Sequence, residues 1–151
     1  MPAGRAYNRV MSNLHAAGLR PAVAPLRILI ADECDRVRAA ARDLIDLQVD
    51  LLVVGEAVEA EAALCQAVAA RPDLILLDAR LPGGPGPALL VRLHAGAPTL
   101  PVVVYAANPA PGEREQALAA GAAAFLAKDV LPHDLLAALR RAGRGQPAES
   151  A

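Results

Sequence analysis

The chain has 151 residues, 55% of them hydrophobic, with a formal net charge of −1, enough apolar material for one full core and too little length for a second large one. Scattered arginines form no basic stripe, and aromatic residues at 2% supply no stacking surface for bases, so direct nucleic-acid binding is not expected. Two cysteines, Cys34 and Cys65, are too few for a disulfide framework or a zinc site, and no apolar stretch suits a signal peptide or a membrane span, so the expected setting is a reducing cytoplasm without membrane contact.

Residues 1–25 mix Gly, Ala, Pro and Arg without a sustained period, and Pro21 and Pro25 break any helix ahead of the first apolar run; a flexible extension is expected there. Residues 26–142 form the expected single domain. Within it the runs 28–30, 51–54, 74–77, 102–104 and 122–127 are continuous rather than alternating, the pattern of strands buried on both faces. Residues 35–47 put Val37, Ala40, Ala41, Leu44, Ile45 and Leu47 near one face and Arg36, Arg38, Arg42, Asp43 and Asp46 elsewhere, which fits a helix. An alanine-rich helix follows at 58–70, with Glu59 and Glu61 in its first turn, where the helix dipole favours anions, and Pro72 to end it. Further helices are expected at 87–95, 112–120 and 132–142, the last with Pro132 near its start and Arg140-Arg141 near its end. The order βαβαβαβαβα implies an α/β fold, a doubly wound parallel sheet of five strands with helices on both faces. The tail 143–151 has almost nothing to bury and is expected to be disordered, and both cysteines are expected to be inert and partly buried.

Three of the strand runs end in charge. Asp32-Glu33 follows the first, Asp78 the third, and Lys128, the only lysine, the last. In a sheet of order 2-1-3-4-5 the ligand crevice lies beyond the carboxyl ends of strands 1 and 3, so the three carboxylates are expected to converge. Charges placed directly after buried strands are costly unless they meet solvent, a metal or one another. Crowded carboxylates repel, and a hard divalent cation such as Mg²⁺ relieves the repulsion. With that ion and an ammonium offsetting its charge, a phosphoryl group can be attacked by a carboxylate oxygen; Asp78 is the nucleophile candidate and Lys128 the counter-charge. Singly, each has a plainer reading: Asp78 as a turn or cap residue, Lys128 as a solvated lysine beside Asp129, Phe125 as core. His15, His94 and His133 lack metal-ligand spacing and stay outside the site. The combination is what points to one pocket.

Over residues 26–142 the chain resembles the receiver domain of two-component response regulators. The acidic pair stands in ILIADECDRVR, and the phosphoryl-accepting aspartate in DLILLDARLPGGPG, with Pro82 four and Gly86 eight positions beyond Asp78. The lysine stands in GAAAFLAKDVLPHDLLAALR, with Phe125 three residues before Lys128, an ending similar to receivers of the branch that usually carries a LuxR-type helix-turn-helix. The resemblance implies a flavodoxin-like fold, Mg²⁺ held by Asp32, Glu33, Asp78 and the backbone carbonyl of Arg80, and a phosphoacceptor rather than an enzyme. It also implies phosphorylation of Asp78 by a histidine kinase or phosphotransfer protein, with Lys128 pairing the phosphoryl oxygens. Two positions depart from the family pattern. Glu33 is one methylene longer than the usual aspartate, and Ala106 stands where a switch Ser or Thr is normal, removing a charge-assisted hydrogen bond worth about 1.5–3 kcal/mol. Neighbouring Tyr105 points to the opposite face of its strand and is not expected to replace that hydroxyl.

A stand-alone, phosphorylatable but weakly switching receiver is therefore expected, with Ala106 and Phe125 as the switch positions. Its output surface is expected on 112–120, 122–127 and 132–142, where Leu131, Leu135 and Leu139 are candidate contacts for a downstream protein or for a homodimer. The alternative is a degenerate receiver acting as a phosphorylation-independent adaptor. A dehalogenase-type phosphatase would need a second aspartate where Arg80 stands, and a flavodoxin's phosphate loop would fall on the acidic stretch after the first strand.

Overall fold

The computed structural model describes residues 4–84 and 86–146. Five parallel strands, β1 (Leu26–Ala31), β2 (Leu51–Ala57), β3 (Leu74–Asp78), β4 (Val102–Ala106) and β5 (Ala124–Ala127), lie in the order β2-β1-β3-β4-β5. The chain runs outward from β1 to β2, then returns past β1 to β3. That reversal opens a crevice at the carboxyl ends of β1 and β3. Every residue of β3 and β4 is buried, as their unbroken apolar runs require.

Six helices accompany the strands: α1 (Arg5–Ala16), α2 (Asp35–Asp46), α3 (Ala60–Ala70), α4 (Gly86–Gly96), α5 (Glu113–Ala119) and α6 (Pro132–Gly143). Helices α2 and α6 cover one face of the sheet, packing Ala41, Ile45, Leu136 and Leu139 on Ile28, Ile30, Leu74, Leu76, Val103 and Tyr105. Helices α3, α4 and α5 cover the other, where Ala63, Leu89, Leu90, Leu93 and Ala117 meet Leu29, Ala31, Ile75, Leu77, Val104 and Ala106. The twofold alternation of strand side chains does the sorting, so the neighbours Tyr105 and Ala106 enter opposite cores.

Several expectations are corrected. No sustained period is expected in the extension 1–25, yet α1 forms there; Tyr7, Met11 and Leu14 are half-buried at helical spacing, and α1 runs against α2. Ala40 and Leu47 are exposed, Leu47 to 73%, so the buried face of α2 is narrower than its periodicity suggests. Both cysteines are exposed rather than partly buried. Leu139 is fully buried between α6 and the sheet and is no surface contact. Helix α6 extends to Gly143 and a turn follows to Gln146; the rest of the tail expected to be disordered, 147–151, lies outside the described residues, as does Pro85. Among the described residues no helix is long and apolar enough to cross a membrane.

Candidate functional site

The sheet itself delivers three charged side chains to the crevice. Asp32 is the first residue past β1; its N–H donates to the Ala57 carbonyl at 3.0 Å, continuing the ladder, and its side chain is fully buried. Asp78 is the last residue of β3, in register with Tyr105 and 6% exposed. Lys128 is the first residue past β5, and its N–H donates to the Ala106 carbonyl at 2.9 Å. Its ammonium Nζ lies 2.8 Å from Asp32 Oδ2 and 3.4 Å from Asp78 Oδ1. Two buried carboxylates thus share one cation, a charge-assisted arrangement that offsets their mutual repulsion.

The remaining contacts separate the roles of the two carboxylates. Asp32 has three donors: Oδ1 accepts the Cys34 N–H at 2.7 Å, and Oδ2 accepts the Tyr105 hydroxyl at 2.6 Å in addition to Lys128, which leaves one lone pair of Oδ1 for a cation. Asp78 takes the Arg80 N–H at 3.1 Å, and this bond and the Lys128 contact both fall on Oδ1 rather than Oδ2. The turn after Asp78 is close-packed. A Cβ on Gly86 would lie 3.0 Å from the Ala79 carbonyl oxygen, so glycine there lets α4 begin directly against the loop. The Arg80 side chain crosses to the β4–α5 loop, donating to the Ala107 carbonyl at 2.9 Å and pairing with Glu113 at 3.5 Å.

Of the residues singled out by sequence, Asp32, Asp78 and Lys128 meet, whereas Glu33 is exposed at the start of the β1–α2 loop. Among the described residues no three His, Cys, Asp or Glu side chains gather as a metal cluster. The expected convergence of three carboxylates is therefore met by two. Mg²⁺ keeps several waters and binds through one or two carboxylates together with phosphate oxygens, so the donor chemistry of Asp32 and Asp78 fits it. Ala106 and Phe125 are both buried in the core beneath α3, α4 and α5, with Phe125 turned inward.

The residue that sequence reasoning missed is Tyr105. Its hydroxyl reaches Asp32, and its ring lies under the Lys128 ammonium, 4.8 Å from Nζ to the ring centroid, a cation–π contact. Burial first, then the hydrogen bond to Asp32 and the nearby carboxylate charges push its hydroxyl above the usual phenol range, so it stays protonated and donating at ordinary pH. Strand alternation correctly assigned its face but says nothing of reach. A tyrosine one residue from a strand end is long enough to bring its polar tip over the rim, and that was the available signal.

A lysine-bridged pair of carboxylates at the switch point of a five-stranded parallel sheet defines a flavodoxin-like domain of receiver type. The chain belongs to the response regulator receiver domain family, whose family model matches residues 28–140. It is 36% identical over 122 residues to the nitrate/nitrite response regulator protein NarL of Escherichia coli, covering 81% of this chain and 56% of NarL. It is 31% identical over 121 residues to the DNA-binding transcriptional activator DevR/DosR of Mycobacterium tuberculosis, covering 80% and 56%. The chain thus spans about half the length of these curated relatives. Among solved structures, the signal receiver domain of the putative response regulator NarL from Mycobacterium tuberculosis matches with a TM-score of 0.78 at 30% identity, over 82% of this chain and all of that one. A CheY-like receiver domain protein from Methanospirillum hungatei matches with a TM-score of 0.73 at 25% identity, over 82% and 97%.

Proposed function

We propose that this receiver accepts a phosphoryl group on Asp78 from a histidine kinase or phosphotransfer protein, with Mg²⁺, and signals through protein contacts in the cytoplasm. The observation that carries this reading is Lys128 Nζ between the two buried carboxylates, 2.8 Å from Asp32 and 3.4 Å from Asp78. With a phosphohistidine donor, Asp78 Oδ2 attacks phosphorus, the new O–P bond forms as the P–N bond breaks, and the imidazole leaves and takes up a proton. Lys128 offsets charge on the transferred oxygens. Mg²⁺ would be held by Asp32, Asp78 and the Arg80 carbonyl, with Glu33, exposed on the adjoining loop, joining them only by turning inward, and it would supply further positive charge against the phosphoryl group. The transfer modifies the protein itself, which makes the chain a phosphoacceptor rather than an enzyme acting on a separate substrate.

Output is assigned to the α5–β5–α6 face, where Leu131 is 58% exposed and Leu135 half-buried, and where a downstream protein or a second copy of the chain would dock. The adaptor alternative draws its support from Ala106, a buried methyl where a hydroxyl would meet the phosphoryl group. Incubation with acetyl phosphate and Mg²⁺ followed by intact mass measurement separates the two. A gain of one phosphoryl group by the native chain and none by Asp78→Asn is expected; an unmodified native chain would leave only the adaptor.

A further inference from the structure

The geometry points to Tyr105 as a positioning residue, a standing hydroxyl donor that keeps Asp32 hydrogen-bonded when Lys128 leaves it for a phosphoryl group on Asp78. The inference deepens the phosphoacceptor reading and rests on it. Lys128 now sits closer to Asp32 than to Asp78, 2.8 against 3.4 Å. Its transfer to phosphoryl oxygens would strip Asp32 Oδ2 of a charged donor at a side chain with no solvent exposure. A cation held by Asp32 would restore charge but not direction, and a buried carboxylate oxygen without a hydrogen-bond donor is no longer held in place toward that cation. The Tyr105 hydroxyl, already 2.6 Å from that same Oδ2, removes the deficit. The ring below Nζ holds the ammonium at the rim of the pocket, so the lysine shifts between two carboxylates across one aromatic surface.

A purely structural tyrosine and this one differ in when the hydroxyl matters. In the unphosphorylated chain Lys128 satisfies Asp32 Oδ2 whether or not the hydroxyl is present. Tyr105→Phe should therefore melt close to the native temperature. The loss should show only when the pocket is charged with a phosphoryl mimic. Outer-shell donors to metal-binding carboxylates typically govern affinity by 10–100-fold, and the expectation here is about a tenfold weaker response to fluoroberyllate with Mg²⁺.

Lys128 is the only lysine, so lysine-selective ¹³C,¹⁵N labelling gives a single side-chain signal, shifted by the Tyr105 ring current. That signal is followed in the native chain and in Y105F during titration with fluoroberyllate at fixed Mg²⁺. Movement of the native signal at about tenfold lower fluoroberyllate than in Y105F, with similar melting temperatures, supports the inference. Equal affinities, a tighter Y105F, or a large fall in melting temperature without a change in affinity overturns it. If Y105F does not fold, tyrosine Cζ labelling of the native chain replaces it. Tyr105 Cζ is expected to remain hydrogen-bonded while Lys128 moves, and its shift to a free-phenol position overturns the inference. A native chain whose Lys128 signal ignores fluoroberyllate altogether sinks the phosphoacceptor reading first, which distinguishes that failure from a failure of Tyr105 alone.

Discussion

Lys128 is the charge that makes two buried carboxylates compatible, and replacing it tests how much of the pocket's stability rests on one ammonium. In Lys128→Met, Asp32 keeps the Cys34 N–H and the Tyr105 hydroxyl but loses its charged partner. Breaking a fully buried ion pair costs about 3–5 kcal/mol; the remaining donors and the partial exposure of Lys128 reduce the expected loss to about 2–3 kcal/mol in urea unfolding. Asp78→Asn should behave oppositely. It leaves Lys128 with its nearer partner and removes one of two repelling charges, so its unfolding midpoint is expected to equal or exceed the native one. Asp32, Asp78 and Lys128 were legible in the sequence because each follows an unbroken apolar run, and a sheet of this order brings those run ends together. Glu33 shares that sequence position, but it is the second residue past its strand and the chain turns it to solvent. Tyr105 was not legible because alternation resolves the face of a side chain and not how far a long one extends beyond the strand end.

Among elements, the hold of α6 on the β2 edge depends on Arg140, which donates to both Asp50 oxygens at 2.7 and 2.8 Å and to Gln48 at 3.0 Å. The Arg140 hydrogen bond keeps the Asp50 carboxyl below its usual value, against the opposing effect of partial burial. A carboxyl depressed in the folded state contributes stability that is present above its unfolded pKa of about 3.9 and is lost as pH falls through the lower folded value. Asp50 is 44% exposed, so solvent screening limits the contribution to less than about 1 kcal/mol. Asp50→Asn is expected to lose that amount at neutral pH and to show a shallower loss of stability below about pH 4, followed by circular dichroism across an acid titration. The strands were legible because both sheet faces are covered, which makes their apolar runs continuous. Helix α1 was not, since its inward side carries only four half-buried residues, Ala6, Tyr7, Met11 and Leu14, and nothing in it is fully buried. Leu139 was misassigned for a geometric reason. Residues four apart drift by about 40° around a helix, so the line from Leu131 through Leu135 rotates from the surface into the core by Leu139.

At the scale of the whole molecule, the proposed function requires the state of Asp78 to be felt on the α5–β5–α6 face, and Ala106, at the end of β4, lies between them. Its carbonyl seats Lys128, but its methyl group offers a phosphoryl oxygen no hydrogen bond. Besides backbone pairing, side-chain links from the pocket to β4 and the β4–α5 loop are the Lys128 ammonium over the Tyr105 ring and the Arg80 side chain held by Ala107 and Glu113. Both are flexible side chains, whereas a hydroxyl on β4 would act through the strand backbone, so the native equilibrium should shift only weakly with phosphorylation. Ala106→Ser tests this. A cavity of about 360 Å³ lined by Ala106, Asn108, Pro109 and Lys128 leaves room for one oxygen, and stability is expected to change by less than about 1 kcal/mol. Amide spectra with fluoroberyllate and Mg²⁺ should then show shifts reaching further into α5 and β5 in A106S than in the native chain. Equal reach in the two would mean that Lys128 and Arg80 already transmit the full signal, and the missing hydroxyl would not explain weak switching.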